Sequence, residues 1–147
     1  LLHKDLENIL QILEKYNLKA NITTNGTLIK EKLDIIKKSK AIKLYIANIM
    51  TQAGETSNFT LSNHINAIIE HSYPEILDAV LVNNGRIPEY IIERYAKLNS
   101  VPVKIDKLKY KNIKVIKKNF VSKSQYAHHD FVKLSRAIFN FLRGEIK

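Results

Sequence analysis

The sequence predicts an α/β fold in which a mostly parallel sheet is covered by helices on both faces. Three observations carry that expectation. Segments with helical spacing alternate with short apolar runs along the chain. Two of those runs, residues 43–49 and 79–82, are almost continuously apolar, as strands buried on both faces are. Each run leads into turn residues and then a helix start, the order of a strand–helix–strand unit.

The elements follow in order. Leu2, Leu6, Ile9, Leu10, Leu13 and Tyr16 have helical spacing. Residues 18–23 form a strand candidate, and Asn25-Gly26 is a turn signal. Residues 28–38 read as a helix with Leu28, Lys32, Ile35 and Ile36 on one side. Residues 43–49 are the strongest strand, followed by a polar loop to Phe59. Thr60 or Ser62 then caps a helix whose inner face is Leu61, Ile65, Ile68 and Ile69. Residues 79–82 are a buried strand ending in Asn83-Asn84-Gly85. Pro88 opens the next helix at a position where proline is tolerated, with Ile87, Ile91, Tyr95 and Leu98 as its stripe. Residues 101–105 and 113–120 are the last strand candidates. Asp130 caps a final helix with Phe131, Leu134, Ile138, Phe141 and Leu142 on its apolar face.

Composition narrows the chemistry. At 147 residues the chain is expected to be one domain. It has no cysteine, which excludes disulfides, Cys-ligated zinc and iron–sulfur clusters. No run reaches the ~20 apolar residues of a membrane span, and no signal peptide is recognisable, so a cytoplasmic location is expected. The first residue is not Met, so the natural N-terminus is expected upstream. The net charge of +10 is concentrated in residues 30–43 and 104–123, where Asp106 is the one acid of the second stretch. A basic surface attracts anions. Lysine outnumbers arginine twenty to four, however, and arginine is the usual reader of bases, so nucleic acid is not the expected partner.

In parallel α/β sheets ligands sit beyond the carboxyl ends of the strands. That rule selects residues 48–56, 83–86 and 122–130. The first loop offers Asn48, Thr51, Gln52, Glu55 and Thr56, with Gly54 to permit a tight bend. Such groups can bond a uracil edge or sugar hydroxyls, and the helix beyond favours an anion at its N-terminus. The alternative is an ordinary capped connection. His64 and His71, seven positions apart on one helix, lack a carboxylate or third ligand at matching spacing, so no metal is expected. His128-His129-Asp130 reads as a helix cap with a phosphate-side contact. No nucleophile–base arrangement or carboxylate pair stands out.

The loop Asn48-Ile49-Met50-Thr51-Gln52-Ala53-Gly54-Glu55-Thr56, its following apolar helix, and Val82-Asn83-Asn84 ahead of Ile87-Pro88 together resemble the C-terminal part of the gluconeogenesis factor family, relatives of 2-phospho-L-lactate transferase. The resemblance covers roughly residues 39–142. It implies a Rossmann-like three-layer sandwich, here incomplete, that binds a UDP-sugar such as UDP-N-acetylglucosamine in a regulatory role. The resemblance extends the candidate set to Asn83, Asn84, Tyr95 and His128. Tyr95 matches a family tyrosine, although its place on an apolar stripe equally suits core packing. His128 stands where the family has an arginine, so weakened binding is expected. A transferase reaction would need a Gly-rich phosphate loop and metal-binding acids, neither recognisable here. A self-associating module with no small ligand is the other reading, and a homo-oligomer is expected.

Residues 1–36 resemble instead a strand–helix segment from the barrel of radical SAM enzymes, carried by Thr23-Thr24-Asn25-Gly26-Thr27, without that family's cluster cysteines. The chain therefore reads as one domain, either joined from residues 1–36 and 39–147 or a truncated or divergent member in which the N-terminal match is coincidence; in both cases the first helix and strand are expected to cover a sheet edge.

Overall fold

The computed structural model describes residues 5–18, 21–24 and 30–145. Its elements are α1 (Leu6–Lys15), a 3-10 turn (Lys30–Lys32) running into α2 (Leu33–Lys38), β1 (Leu44–Ile46), α3 (Leu61–Glu70), β2 (Ala79–Asn83), α4 (Glu89–Ala96), β3 (Lys114–Lys118) and α5 (Phe131–Leu142). The three strands form a parallel sheet in the order β1-β2-β3. Leu44 pairs with Ala79, and Val80 with Val115. The α/β class and the parallel sheet are as the sequence predicts.

The central strand explains the layering. Ala79, Val80, Leu81 and Val82 are all buried, because side chains alternate between two covered faces. Val80 and Val82 meet Leu61, Ile65 and Ile69 of α3. Ala79 and Leu81 meet Ile116, Phe120 and Ala137, so α5 covers the other face. Each fully buried aliphatic side chain contributes roughly 1.5–3 kcal/mol of transfer free energy, so this strand anchors the domain. A third cluster of Ile49, Met50 and Val121, with Ile87, Tyr95 and Ala127 packed on it, ties the connections beyond the strand ends together.

Two caps hold as the sequence indicates. Thr60 caps α3 in a capping box with Asn63. Asp130 caps α5, accepting from Val132 N–H and Lys133 N–H, each at 3.1 Å.

Several local expectations are corrected. Of residues 18–23, Leu18 and 21–23 are not strand, and Lys19 and Ala20 lie outside the described residues, as does the Asn25-Gly26 turn. Residues 101–105 do not join the parallel sheet. They run antiparallel to the β1 loop through a Met50–Pro102 bridge, with Val103 N–H donating to Ile49 O at 3.0 Å. Pro102 has no N–H to give a ladder, which confines the segment to an edge contact. Pro88 is the N-cap of α4, with ψ 141°, rather than its first helical residue. Leu98 lies beyond the end of α4 and is exposed. Phe131 points away from the core at 79% exposure, whereas Leu134, Ala137, Ile138 and Phe141 pack on the sheet. No α1 residue belongs to the three clusters among the described residues, although Leu6 of α1 is buried. No described helix is long and apolar enough to cross a membrane.

Candidate functional site

The connections beyond β1, β2 and β3 hold the predicted site residues, with Tyr95 entering from α4. Backbone accounting decides which of their polar groups face outward.

The β1 loop is bonded largely to itself. Thr51 is 1% exposed. Its N–H donates to Val101 O at 2.8 Å and its hydroxyl accepts from Val101 N–H at 2.9 Å. Thr56 Oγ1 accepts from Gln52 N–H at 2.9 Å, and Thr56 N–H returns a bond to Gln52 O at 2.8 Å. Gly54, at φ 83°, makes the bend, and its N–H donates to Ser57 Oγ at 3.1 Å. Asn48 is half-buried and its backbone bonds the Tyr45 phenol, whose pKa burial nonetheless pushes up to about 12. Gln52 and Glu55 are exposed.

The α3 N-terminus is not open to an outside anion. The Asp106 carboxylate accepts from Ser62 N–H at 2.9 Å, from Thr60 Oγ1 at 2.8 Å and from Ser62 Oγ. Burial raises the Asp106 carboxyl, but the bonds from Ser62 and Thr60 outweigh it and hold the pKa below the usual value. The anion that the helix dipole favours is therefore supplied by the chain itself, which corrects the sequence-based expectation of a ligand anion here.

At the end of β2 the Asn83 side chain staples two connections. Its Oδ1 accepts from Gly85 N–H at 3.2 Å and Phe120 N–H at 2.8 Å, and its Nδ2 donates to Gly85 O at 3.0 Å. Asn84 donates its backbone N–H to Lys118 O at 3.0 Å and is itself exposed.

The β3 connection carries the most outward-facing chemistry. The ring of His128 stacks on Tyr126, with centroids 5.5 Å apart and an angle of 19° between planes. The guanidinium of Arg94, from α4, lies 5.0 Å from the Tyr126 ring centre and donates to Gln125 O at 2.8 Å. One helical turn earlier, Tyr90 donates its hydroxyl to Ser124 O at 3.0 Å. Tyr95, half-buried, packs with Ile49, Met50 and Val121 and joins all three connections. The histidine-rich segment does not converge on one point. His129 Nε2 sits 3.2 Å from Ala47 O, His128 lies on Tyr126, and Asp130 caps α5. Burial pulls the His129 pKa down, a fall that the Ala47 carbonyl opposes and His128 reinforces. Arg94 and Tyr126 were not singled out by sequence. The available signal was that Tyr90 and Arg94, four apart on a helix, share a face beside Tyr95.

Comparison with known proteins agrees with this architecture. Residues 18–121 match the family described as 2-phospho-L-lactate transferase CofD. That match begins at Leu18, well before the Ser39 boundary of the sequence resemblance. A putative gluconeogenesis factor of Clostridium acetobutylicum is 40% identical over 114 residues, 76% of this chain and 25% of that protein. The gluconeogenesis factor of Halalkalibacterium halodurans is 39% identical over 108 residues, 71% of this chain and 34% of that protein. A crystal structure of a UPF0052-family protein from Bacillus halodurans superposes with a TM-score of 0.69 at 38% identity, covering 73% of this chain and 35% of that one. The chain thus spans about a quarter to a third of the length of these relatives.

Proposed function

This chain belongs to the 2-phospho-L-lactate transferase CofD family, and on that premise we propose that it contributes part of a nucleotide-sugar site, taking a UDP-sugar such as UDP-N-acetylglucosamine in a regulatory role. The observation that carries this reading is the Arg94–Tyr126–His128 stack at the carboxyl edge of the sheet. An aromatic surface suits a uracil ring, and a guanidinium beside it suits a diphosphate. Arg94 supplies the planar cation that His128 lacks. Gln52, Glu55 and Asn84, exposed on the neighbouring loops, remain available for ribose or sugar hydroxyls. Thr51, Thr56 and Asn83 serve the site by holding its loops in shape. Calorimetric titration with UDP-N-acetylglucosamine, with and without Mg²⁺, tests the reading. Saturable heat with an affinity that Arg94→Gln lowers about tenfold is the expected result, and no heat under either condition rejects it for this chain.

Self-association is a second reading with its own observation. Phe131 and Phe139, 79% and 57% exposed, form an apolar strip on the outer side of α5. A monodisperse monomer in light scattering at high concentration would remove it.

A further inference from the structure

We propose that the cleft between the end of β3 and α5 is a second anion site, which takes a small phosphomonoester. It is a shallow pocket of about 350 Å³ lined by Lys118, Asn119, Phe120, Lys133, Arg136 and Ala137. Nothing in the nucleotide-sugar reading requires it, and none of its residues belongs to the Arg94–Tyr126–His128 stack.

The fold brings its cations together. Side chains of a strand alternate, and Ile116 faces α5 in the core, so Lys118 projects to the same side. The helix α5 runs back along β3: Asp130 N–H reaches Phe120 O at 2.6 Å, and the Lys114 ammonium lies 5.7 Å from the Phe141 ring centre. That direction sets Lys133 and Arg136, three apart and on one face of the helix, opposite Lys118. Phe120 and Ala137 lie buried beneath it, so the apolar surface within reach is that of the aliphatic stems of Lys133 and Arg136.

The charges are poorly balanced within the protein. Lys133 is partly committed, at 3.3 Å from Asp130 and 3.4 Å from Val121 O. Asp130 is itself used as the α5 cap. Among the described residues, the Lys118 and Arg136 side chains have no hydrogen-bond or ion-pair partner. Three cations converge on one cleft with a single acid at its rim. Arg136 can hold a phosphoryl group through two N–H donors, Lys118 adds a point charge, and the aliphatic stems accept an apolar ester group. The volume suits a ligand of about the size of a sugar phosphate.

Nuclear magnetic resonance titration of the ¹⁵N-labelled chain with phenyl phosphate and with inorganic phosphate tests the site. The backbone signals of Lys118, Asn119 and Ala137 are expected to shift saturably. Phenyl phosphate should bind several-fold tighter than inorganic phosphate, because its ring packs on those stems. Lys118→Gln and Arg136→Gln, both at exposed positions, should each weaken binding about fivefold. The double variant Lys107→Gln/Lys109→Gln, which removes two positive charges elsewhere, should bind as the unaltered chain does. Non-saturating shifts spread over all lysine-rich segments would overturn the proposal, as would equal affinity for the two probes or equal loss in the control variant.

Discussion

Replacing Asn83 by alanine is expected to lower stability by about 2–4 kcal/mol while leaving the strand order intact. The side chain makes three hydrogen bonds, and they are unequal. The bond to Phe120 N–H, at 2.8 Å, serves a residue that is 0% exposed. Water cannot easily replace it, and an orphaned buried donor costs about 1–3 kcal/mol. The two bonds to Gly85 close a half-buried turn that solvent reaches in part, so each contributes about 0.5 kcal/mol. Urea unfolding followed by circular dichroism measures the sum. With a urea slope of about 2 kcal/mol/M the midpoint should fall by roughly 1–2 M at unchanged slope. Asn83→Asp should recover only part of the loss, since it keeps the acceptor but loses the amide donor to Gly85 O. A midpoint within about 0.2 M of the unaltered chain would show that Asn83 does not hold the β2 and β3 connections together, and the division of this site into supporting and outward groups would fail with it.

Other perturbations separate the remaining roles. His64, 6% exposed between Phe59 and Tyr45, has its pKa lowered by burial and leaves Nε2 without a partner. A lowered folded pKa means stability that is present above the ordinary histidine value of about 6.5 and lost as pH falls through and below it. His64→Leu should therefore flatten stability between about pH 7 and 5, with His129 leaving a residual slope in pH-dependent urea unfolding. Asp106 also titrates below its usual value, so its contribution is present above about pH 4 and disappears on further acidification. Asp106→Asn should make the acid limb shallower, and an unchanged limb would contradict the capping assignment. Gly85→Ala should destabilise by about 1–3 kcal/mol in thermal melts, because a Cβ there would lie 2.2 Å from the Asn119 side chain. Arg94→Gln should weaken UDP-N-acetylglucosamine binding about tenfold with little change in melting temperature, and a large melting shift without an affinity change would make Arg94 structural.

Much of the framework was legible in sequence because burial on both faces leaves a simple mark. The run ending at Val82 needed no tertiary information, whereas β1 is shorter than its apolar run and, at the end of the strand order, only half-buried. Thr60 and Asp130 were legible for a local reason: a cap acts on N–H groups two or three residues away. Residues 101–105 looked like a further strand because valine and isoleucine flank the proline. Their actual partner, the chain around Met50, lies some fifty positions away and leaves no local trace. The apolar spacing of α1 likewise suggested packing that the three core clusters do not contain. Phe131 was misplaced for another reason. α5 carries two adjoining apolar strips, and periodicity cannot say which of them meets the sheet.

The candidate site was legible as a place more than as a set of contacts. The carboxyl-edge rule selected three connections that the fold brings together beyond the strand ends, yet a polar residue in such a loop has two uses that sequence does not distinguish. It can satisfy the loop's own backbone, or it can face a ligand. Thr51, Thr56, Asn83 and Asp106 take the first course, each bonded to main-chain N–H groups that would otherwise lack partners. Gln52, Glu55, Asn84 and His128 are left facing outward, and Arg94 joins them only because α4 crosses beside the β3 connection. The two sets should therefore respond oppositely to alanine substitution. The first should lose melting temperature in step with any loss of affinity, because the loops deform. The second should lose affinity alone. Measuring both quantities on Thr51→Ala and Gln52→Ala, neighbours in one loop, is the most economical discrimination. If both variants moved together, the Asn48–Thr56 segment would be a connection shaped only for its fold.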